Sequence, residues 1–286
     1  MAAKLLKGQP VADAVLDDVS RRVIQLKDRG ATPGLGTILV GEDDASVGYV
    51  RKKHETCEKA GIASFHEAVS SQATQTDLLS AVDRFNGNPL VDAFLIQHPL
   101  PGHFDFGEAL LRMSPAKDAD GLHPVNLGKL VLQEDGPVPC TPAGIQAMLA
   151  HYAISLAGRE VVIIGRGPTL GRPLSLLLTL KNDLANAAVT VVHTGVENIS
   201  TYTRRADILV AAMGVPNFVQ PDMVQPGAVV VSGGISWDGP RLLADVDESV
   251  GDIAGWITPR LGGVGPTTVA MLLRNAVQAA EMRVCG

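Results

Sequence analysis

"VVIIGRGPTLGRPLSLLL", residues 161–178, is the stretch from which the rest of the chain is read. Four β-branched residues form a short strand, Gly165 and Gly167 make a turn, and Gly171 opens an amphipathic helix. The spacing is G-x-G-x-x-x-G, one residue longer than the usual dinucleotide fingerprint. Glycines let a backbone approach a pyrophosphate, which then meets the unsatisfied amides and positive dipole end of the helix. Taken alone, a tight strand-to-helix turn accounts for the pattern equally well. The following strand sharpens the reading, because it ends "VVHT" and places His193 or Thr194 where an enzyme using NAD offers a carboxylate to the ribose hydroxyls. A carboxylate would repel a 2′-phosphate, whereas a hydroxyl and the nearby guanidinium of Arg166 would not. The expected cofactor is therefore NADP.

Working outward, strand-like runs alternate with helical periodicity in both directions. Upstream come a helix over 11–30, "GTILVG" (36–41), a helix over 46–61, "SFHEAV" (64–69), a helix over 76–86 and "DAFLIQHPLP" (92–101). The segment "EDGPVPCTPAG" (134–144) gathers prolines and glycines and reads as a crossing between two lobes. Beyond it, a helix over 144–154 leads into the glycine-turn strand, then "AAVTVVHT", "ADILVAAMG", "GAVVVSGGI" and a last helix over 267–283. This α/β order implies mostly parallel sheets covered by helices, with ligands at the carboxyl ends of the strands. There is no repeat of 20–50 residues and no low-complexity tract.

With 286 residues, 46% of them apolar and 19% charged, the chain can bury a large core. A net charge of −6 argues against nucleic acid as partner and toward a small molecule. No apolar run approaches the roughly 20 residues that span a bilayer, and the first residues lack a secretory signal, so a cytoplasmic protein is expected. Metal is not expected. Cys57, Cys140 and Cys285 are far apart, no H-E-x-x-H pair occurs, and the calcium-loop hint "DADG" (118–121) has Lys129 where such a loop needs its glutamate.

In "SVGYVRKKHETCEKAG" (46–61), Arg51, Lys52 and Lys59 each have Glu55 at helical spacing, but Lys53 has no carboxylate there. Its neighbours include Tyr49, Val50 and Cys57, at the edge of an apolar stripe. By itself, a lysine whose stem covers apolar surface is the more ordinary explanation.

Six stretches, taken together, point further: "YVRKK" (49–53), "IQHPLP" (96–101), "PAKDADGLHPVNLGKL" (115–130), "PCTPAGI" (139–145), "GRGPTLGRP" (165–173) and "GGVGPTTVAMLLRN" (262–275). In order and spacing the chain resembles the bifunctional methylenetetrahydrofolate dehydrogenase/methenyltetrahydrofolate cyclohydrolases of one-carbon metabolism. The resemblance implies two α/β lobes flanking a cleft, the second a Rossmann-like doubly wound parallel sheet. Residues 1–138, joined by the C-terminal helix 267–286, would bind folate and carry the chemistry; 139–266 would bind NADP. It implies catalytic roles for Lys53, Gln97, Tyr49 and Asp120. Tyr49 and Asp120 would hold the folate together with Pro259, Gly262 and Gly263, while Gly165, Arg166, Gly167, Thr194 and Ile235 border the NADP site. A homodimer acting on tetrahydrofolate derivatives is the family's habit.

Chemistry gives these roles a reason. Removing hydride from the methylene bridge leaves a delocalised cation, so a neighbouring lysine should be neutral. Burial against Tyr49 and the lack of a helical carboxylate both favour the neutral amine. Such an amine can accept a proton from the water that attacks the methenyl carbon, with Gln97 fixing its orientation. Asp120 suits the paired N–H donors of a pterin edge, although it could instead make an Asx-turn before Gly121.

Several residues depart from the family pattern. Ser232, Gly233 and Gly234 stand where Asp-Val-Gly is common, so a strand end loses a carboxylate and gains flexibility. Arg260 and Leu261 replace an apolar residue and a proline, adding charge near a developing cation. His98 follows Gln97 and could alter the charge near Lys53 around neutrality. Ala244 replaces glycine. Three readings follow: the bifunctional enzyme, a dehydrogenase with little cyclohydrolase activity, and a folate- or nucleotide-binding protein without turnover.

Overall fold

The computed structural model describes residues 2–238 and 241–285. In chain order its elements are β1 (Lys4–Leu5), α1 (Gly8–Asp28), β2 (Gly34–Val40), α2 (Asp44–Ala60), β3 (Ala63–Val69), α3 (Gln75–Gly87), β4 (Ala93–Ile96), α4 (Phe106–Arg112) and α5 (Pro124–Leu132). There follow α6 (Cys140–His151), β5 (Glu160–Ile164), α7 (Gly171–Thr179), β6 (Ala188–Val192), α8 (Ser200–Thr203), β7 (Ile208–Ala211), β8 (Val229–Ser232), β9 (Ile235–Asp238), β10 (Arg241–Ala244), β11 (Trp256–Ile257) and α9 (Gly265–Cys285). No helix among the described residues is long and apolar enough to cross a membrane.

The chain divides into two compact units, one of Met1–Asp13 with Pro139–Thr268, the other of Ala14–Val138 with Val269–Gly286. The first contains a six-stranded sheet in the order β1-β11-β8-β7-β5-β6, with every pairing parallel. Alternate residues of its strands point to opposite faces, and each face is covered. Val161, Ile163, Ile208 and Val210 pack with Ile145 and Met148 of α6 and Leu174 and Leu178 of α7. Val162, Ile164, Leu209 and Val230 pack on the other face with Val219, Val224 and Val250. A strand buried on both faces reads as an unbroken apolar run, which is why "VVII" is not alternating.

Residues 1–13 depart from the expected boundary. Lys4 and Leu5 pair in parallel with Trp256 and Ile257 at the edge of this sheet, and the Tyr152 hydroxyl both donates to the Lys7 carbonyl and accepts from its amide.

The second unit is built on a three-stranded parallel sheet, β3-β2-β4, whose core joins Ile38, Val40, Phe94 and Ile96 to Leu78, Val82 and Phe85 of α3. Helix α3 starts on a capping box in which Thr74 and Asp77 exchange hydrogen bonds. The end of α9 is tied to this unit by Arg283, which reaches the fully buried carboxylate of Asp92, and by Arg22 paired with Glu281.

Candidate active site

Helix α2 is fixed at both ends. Asp43 caps its first turn by accepting from the Ser46 amide, and Gly61 ends it in the left-handed conformation. Within it Tyr49 and Lys53 are one turn apart, so they share a face. The Lys53 ammonium lies 4.7 Å from the centre of the Tyr49 ring and donates to Gln97 Oε1 at 3.1 Å; the lysine is 5% exposed. Gln97 follows β4, where its amide continues the ladder to the Ile38 carbonyl. Its Nε2 donates to the His98 carbonyl at 2.7 Å, which leaves Oε1 to face Lys53. The orientation of the Gln97 amide is thus set by bonding on both sides. His98 acts here through its backbone, since its imidazole packs edge-on against Phe106.

Asp120 arrives on a turn organised by another residue. Asp118, buried, accepts from the amides of Gly121 and His123 and from Asn126 Nδ2. Asp118 therefore makes the turn that the sequence also allowed Asp120 to make, and Asp120 is released from that duty. The carboxyl of Asp120 sits in a recess with Leu95, Ile96 and Phe106, where burial pushes its pKa up, the charge of Lys53 pulls it down and Asp118 pushes it up again. The lysine that has no carboxylate along its helix thus has one within electrostatic reach, supplied by the fold. On the helix itself, Arg51 pairs with Glu55 at 3.9 Å.

In the other unit, the glycine turn has the geometry of a phosphate cradle. Gly165 has φ +117°, and a Cβ there would lie 2.2 Å from the Ala212 carbonyl oxygen. A Cβ on Gly171 would meet the Gly165 carbonyl, while one on Gly167 would meet nothing within 4 Å. Helix α7 has no side-chain cap and no acidic residue in its first turn, so its positive dipole end is open to an anion; of its leading residues Arg172 donates its amide to the Gly167 carbonyl and Pro173 has none, which leaves the Gly171 amide. His193 Nδ1 accepts from the Gly195 amide, which leaves the exposed Thr194 hydroxyl as the polar group at the strand end. Arg166 is exposed and has no acidic partner among the described residues. These residues fit a phosphorylated dinucleotide. Ile235 opens β9, and its side chain lies outside what the structure describes.

The departures at 232–234 take a different form from the expected flexibility. Ser232 is buried, its amide donating to Thr258 Oγ1 and its hydroxyl accepting from the Asp245 amide. The amides of Gly233 and Gly234 both donate to the Ala211 carbonyl. A Cβ on Gly234 would fall 2.0 Å from the Asp245 carboxylate, which accepts from the amides of Met213 and Gly214. Close packing is what the glycines serve, and Asp245 brings a carboxylate back to this end of the sheet. Its pKa is pushed up by burial against the lowering effect of those backbone bonds. Nothing in the sequence pattern singled out Asp245 or Asp118. Arg260 is engaged by the Leu242 carbonyl and Glu248. Pro259, Gly262 and Gly263 lie in the loop before α9, in the unit of the glycine turn, where the Gly262 carbonyl accepts from the Gly8 amide.

Fold and site together define a nicotinamide-nucleotide protein of the α/β class, with a second α/β unit that holds a buried lysine against an amide and a carboxylate. The chain belongs to the tetrahydrofolate dehydrogenase/cyclohydrolase family: residues 6–120 match its catalytic domain and 139–284 its NAD(P)-binding domain. It is 70% identical over 283 residues to the bifunctional protein FolD of Syntrophotalea carbinolica, covering 99% of this chain and 98% of that one. Among solved structures it is similar to the bifunctional FolD enzyme of Campylobacter jejuni, with a TM-score of 0.93, 38% identity, and 99% and 100% of the two chains covered. It is also similar to the Trypanosoma brucei dehydrogenase-cyclohydrolase complexed with NADP and an inhibitor, with a TM-score of 0.93, 34% identity and full coverage of both chains.

Proposed function

We propose that this chain oxidises 5,10-methylenetetrahydrofolate with NADP and hydrolyses the resulting 5,10-methenyltetrahydrofolate to 10-formyltetrahydrofolate, with Lys53 as the proton-transferring group. The unit containing Lys53 binds the folate, with Tyr49 against the pterin, Asp120 accepting its paired N–H donors, and Pro259, Gly262 and Gly263 lining the rest. Gly165, Arg166, Gly167, Thr194 and Ile235 hold NADP, which when bound accepts the hydride. The protein works as a cytoplasmic homodimer.

One observation carries this reading: Lys53 donates to a Gln97 amide that is itself locked by the His98 carbonyl. A neutral amine can donate one N–H to Gln97 and still present its lone pair to a water. That water adds to the methenyl carbon and gives its proton to Lys53. As the bond from that carbon to the departing ring nitrogen breaks, the ammonium of Lys53 returns the proton to the nitrogen, the hydroxyl of the adduct gives its own proton to solvent as the C=O forms, and the formyl group stays on the other nitrogen. Tyr49 and the recess around Asp120 keep the folate edge oriented throughout. The family match and the 70% identity to a bifunctional protein favour both activities over a dehydrogenase alone or a binding protein.

The test is to supply methylenetetrahydrofolate with NADP or NAD and follow nicotinamide reduction and methenyl disappearance separately. Both signals are expected with NADP, and Lys53→Met should abolish hydrolysis while leaving NADP binding intact. Unchanged hydrolysis in that variant removes Lys53 from the mechanism.

A further inference from the structure

A cavity of about 320 Å³ lies in the folate-binding unit, walled by Pro115, Ala116, Pro137, Ala279 and Met282. That volume is within the range of small-ligand sites. Its polar groups have a definite order. At the inner end is Asn126, 1% exposed, whose Nδ2 donates both to the Pro115 carbonyl and to Asp118 at 2.9 Å. Two acceptors on that nitrogen fix which end of the amide is which. Asn126 Oδ1 accepts no hydrogen bond among the described residues, and with Asn126 lining the hollow it is an acceptor open to an occupant, on a side chain bonded to the carboxylate of Asp118. At the outer end stands Lys129, partly exposed, its stem crossing Gly136 and its ammonium without a carboxylate partner among the described residues. The side chains of Ser114 and Gln278, also at the cavity, make no hydrogen bond among the described residues.

We propose that this cavity binds a small organic carboxylate carrying an N–H donor at its far end. The carboxylate pairs with Lys129, the apolar body lies between Pro115, Pro137 and Met282, and the donor satisfies Asn126 Oδ1 where the charge of Asp118 favours a cationic group. An anion at the inner end would meet an acceptor and a carboxylate, and a cation at the mouth would meet Lys129, so the polarity admits one orientation. Asp118 lines this cavity and also the recess that holds Asp120, so occupancy is felt at the turn 118–123. The binding claim itself does not depend on the role given to Asp120.

The probe is 6-aminohexanoate, added to the full chain without folate or NADP, with hexanoate and hexylamine as matched analogues lacking one end. Amide resonances of Gly121 and His123, the donors to Asp118, should move saturably with 6-aminohexanoate. Each analogue should bind about tenfold more weakly, as expected for the loss of one charged contact of about 1.4 kcal/mol. Lys129→Gln should weaken 6-aminohexanoate by a similar factor while leaving turnover unchanged, and Ala279→Phe, which fills the hollow, should abolish binding. Should Ala279→Phe fail to fold, Lys129→Gln and the two analogues decide the matter. Shifts that do not saturate, or binding indifferent to Lys129 and to the loss of either end of the probe, would overturn the proposal.

Discussion

Gln97→Glu tests the proton-transfer role by changing charge rather than deleting a group. The substitution puts a carboxylate where an amide oxygen now lies 3.1 Å from Lys53 Nζ. At an effective dielectric of about 20, unit charges at that distance attract by roughly 5 kcal/mol. Desolvating the new carboxylate in a buried site takes back several kcal/mol, and about 3 kcal/mol of preference for the ammonium is a fair net value. At about 1.4 kcal/mol per factor of ten, this depletes the neutral amine by roughly a hundredfold. Hydrolysis should fall by about that factor when the reaction is started from methenyltetrahydrofolate without NADP and its disappearance is followed. Oxidation of the methylene substrate should slow as well, since a fixed ammonium opposes the developing cation. NADP affinity should hold, because the glycine turn belongs to the other unit. Raising the pH should restore part of the lost rate, which a steric defect would not allow. A Gln97→Glu enzyme that hydrolyses within about threefold of the parent across the pH range refutes the neutral-lysine mechanism.

Arg166→Ala should weaken NADP by about 10- to 100-fold, the value of one charge-assisted bond to phosphate, and leave NAD nearly unaffected; equal losses in a titration of both would remove the 2′-phosphate assignment. Asp120→Asn should lower folate affinity yet raise the melting temperature at neutral pH. The sign follows from a folded pKa raised above 3.8 by burial: Asp120 favours the fold while protonated, and that contribution is lost as pH rises through the folded value. The gain should therefore vanish in acid, and a lower melting temperature at pH 7 contradicts it. Arg283→Ala strips the buried Asp92 carboxylate of its paired guanidinium, leaving the Gly34 amide as its hydrogen-bond donor among the described residues and the more distant charge of Lys117, and should cost about 3 kcal/mol in urea unfolding; a loss below about 1 kcal/mol means the pair is incidental.

Much of the fold is legible in the amino-acid pattern. The unbroken "VVII" run and its glycine turn gave the doubly wound sheet because burial on both faces leaves a compositional trace. Pieces too short for periodicity left none. Lys4–Leu5 and Trp256–Ile257 are two-residue strands whose partners are distant in sequence, so the amino terminus could not be assigned to the glycine-turn unit. The Arg260 guanidinium reads in sequence as a charge added to the chemistry because its partners, the Leu242 carbonyl of β10 and Glu248 in the 3-10 turn 248–252, lie 18 and 12 residues away. Ser232–Gly234 looked loose because glycine in a sequence signals freedom and close approach alike, and only the position of Asp245 distinguishes them.

The same ambiguity governs "DADG", and resolving it explains the site. In sequence Asp118 and Asp120 are interchangeable turn formers. In the fold Asp118 accepts from three donors, and those bonds hold the turn. Its neighbour is then carried into a recess where burial raises its pKa and Lys53 opposes the rise. Burial holds this carboxyl away from its ordinary state while the lysine charge draws it back, so the N–H donors of a folate edge would meet an acceptor that is short of partners. The carboxyl that feels Lys53 thus comes from a loop whose turn is built by a different aspartate, not from the helix that carries the lysine.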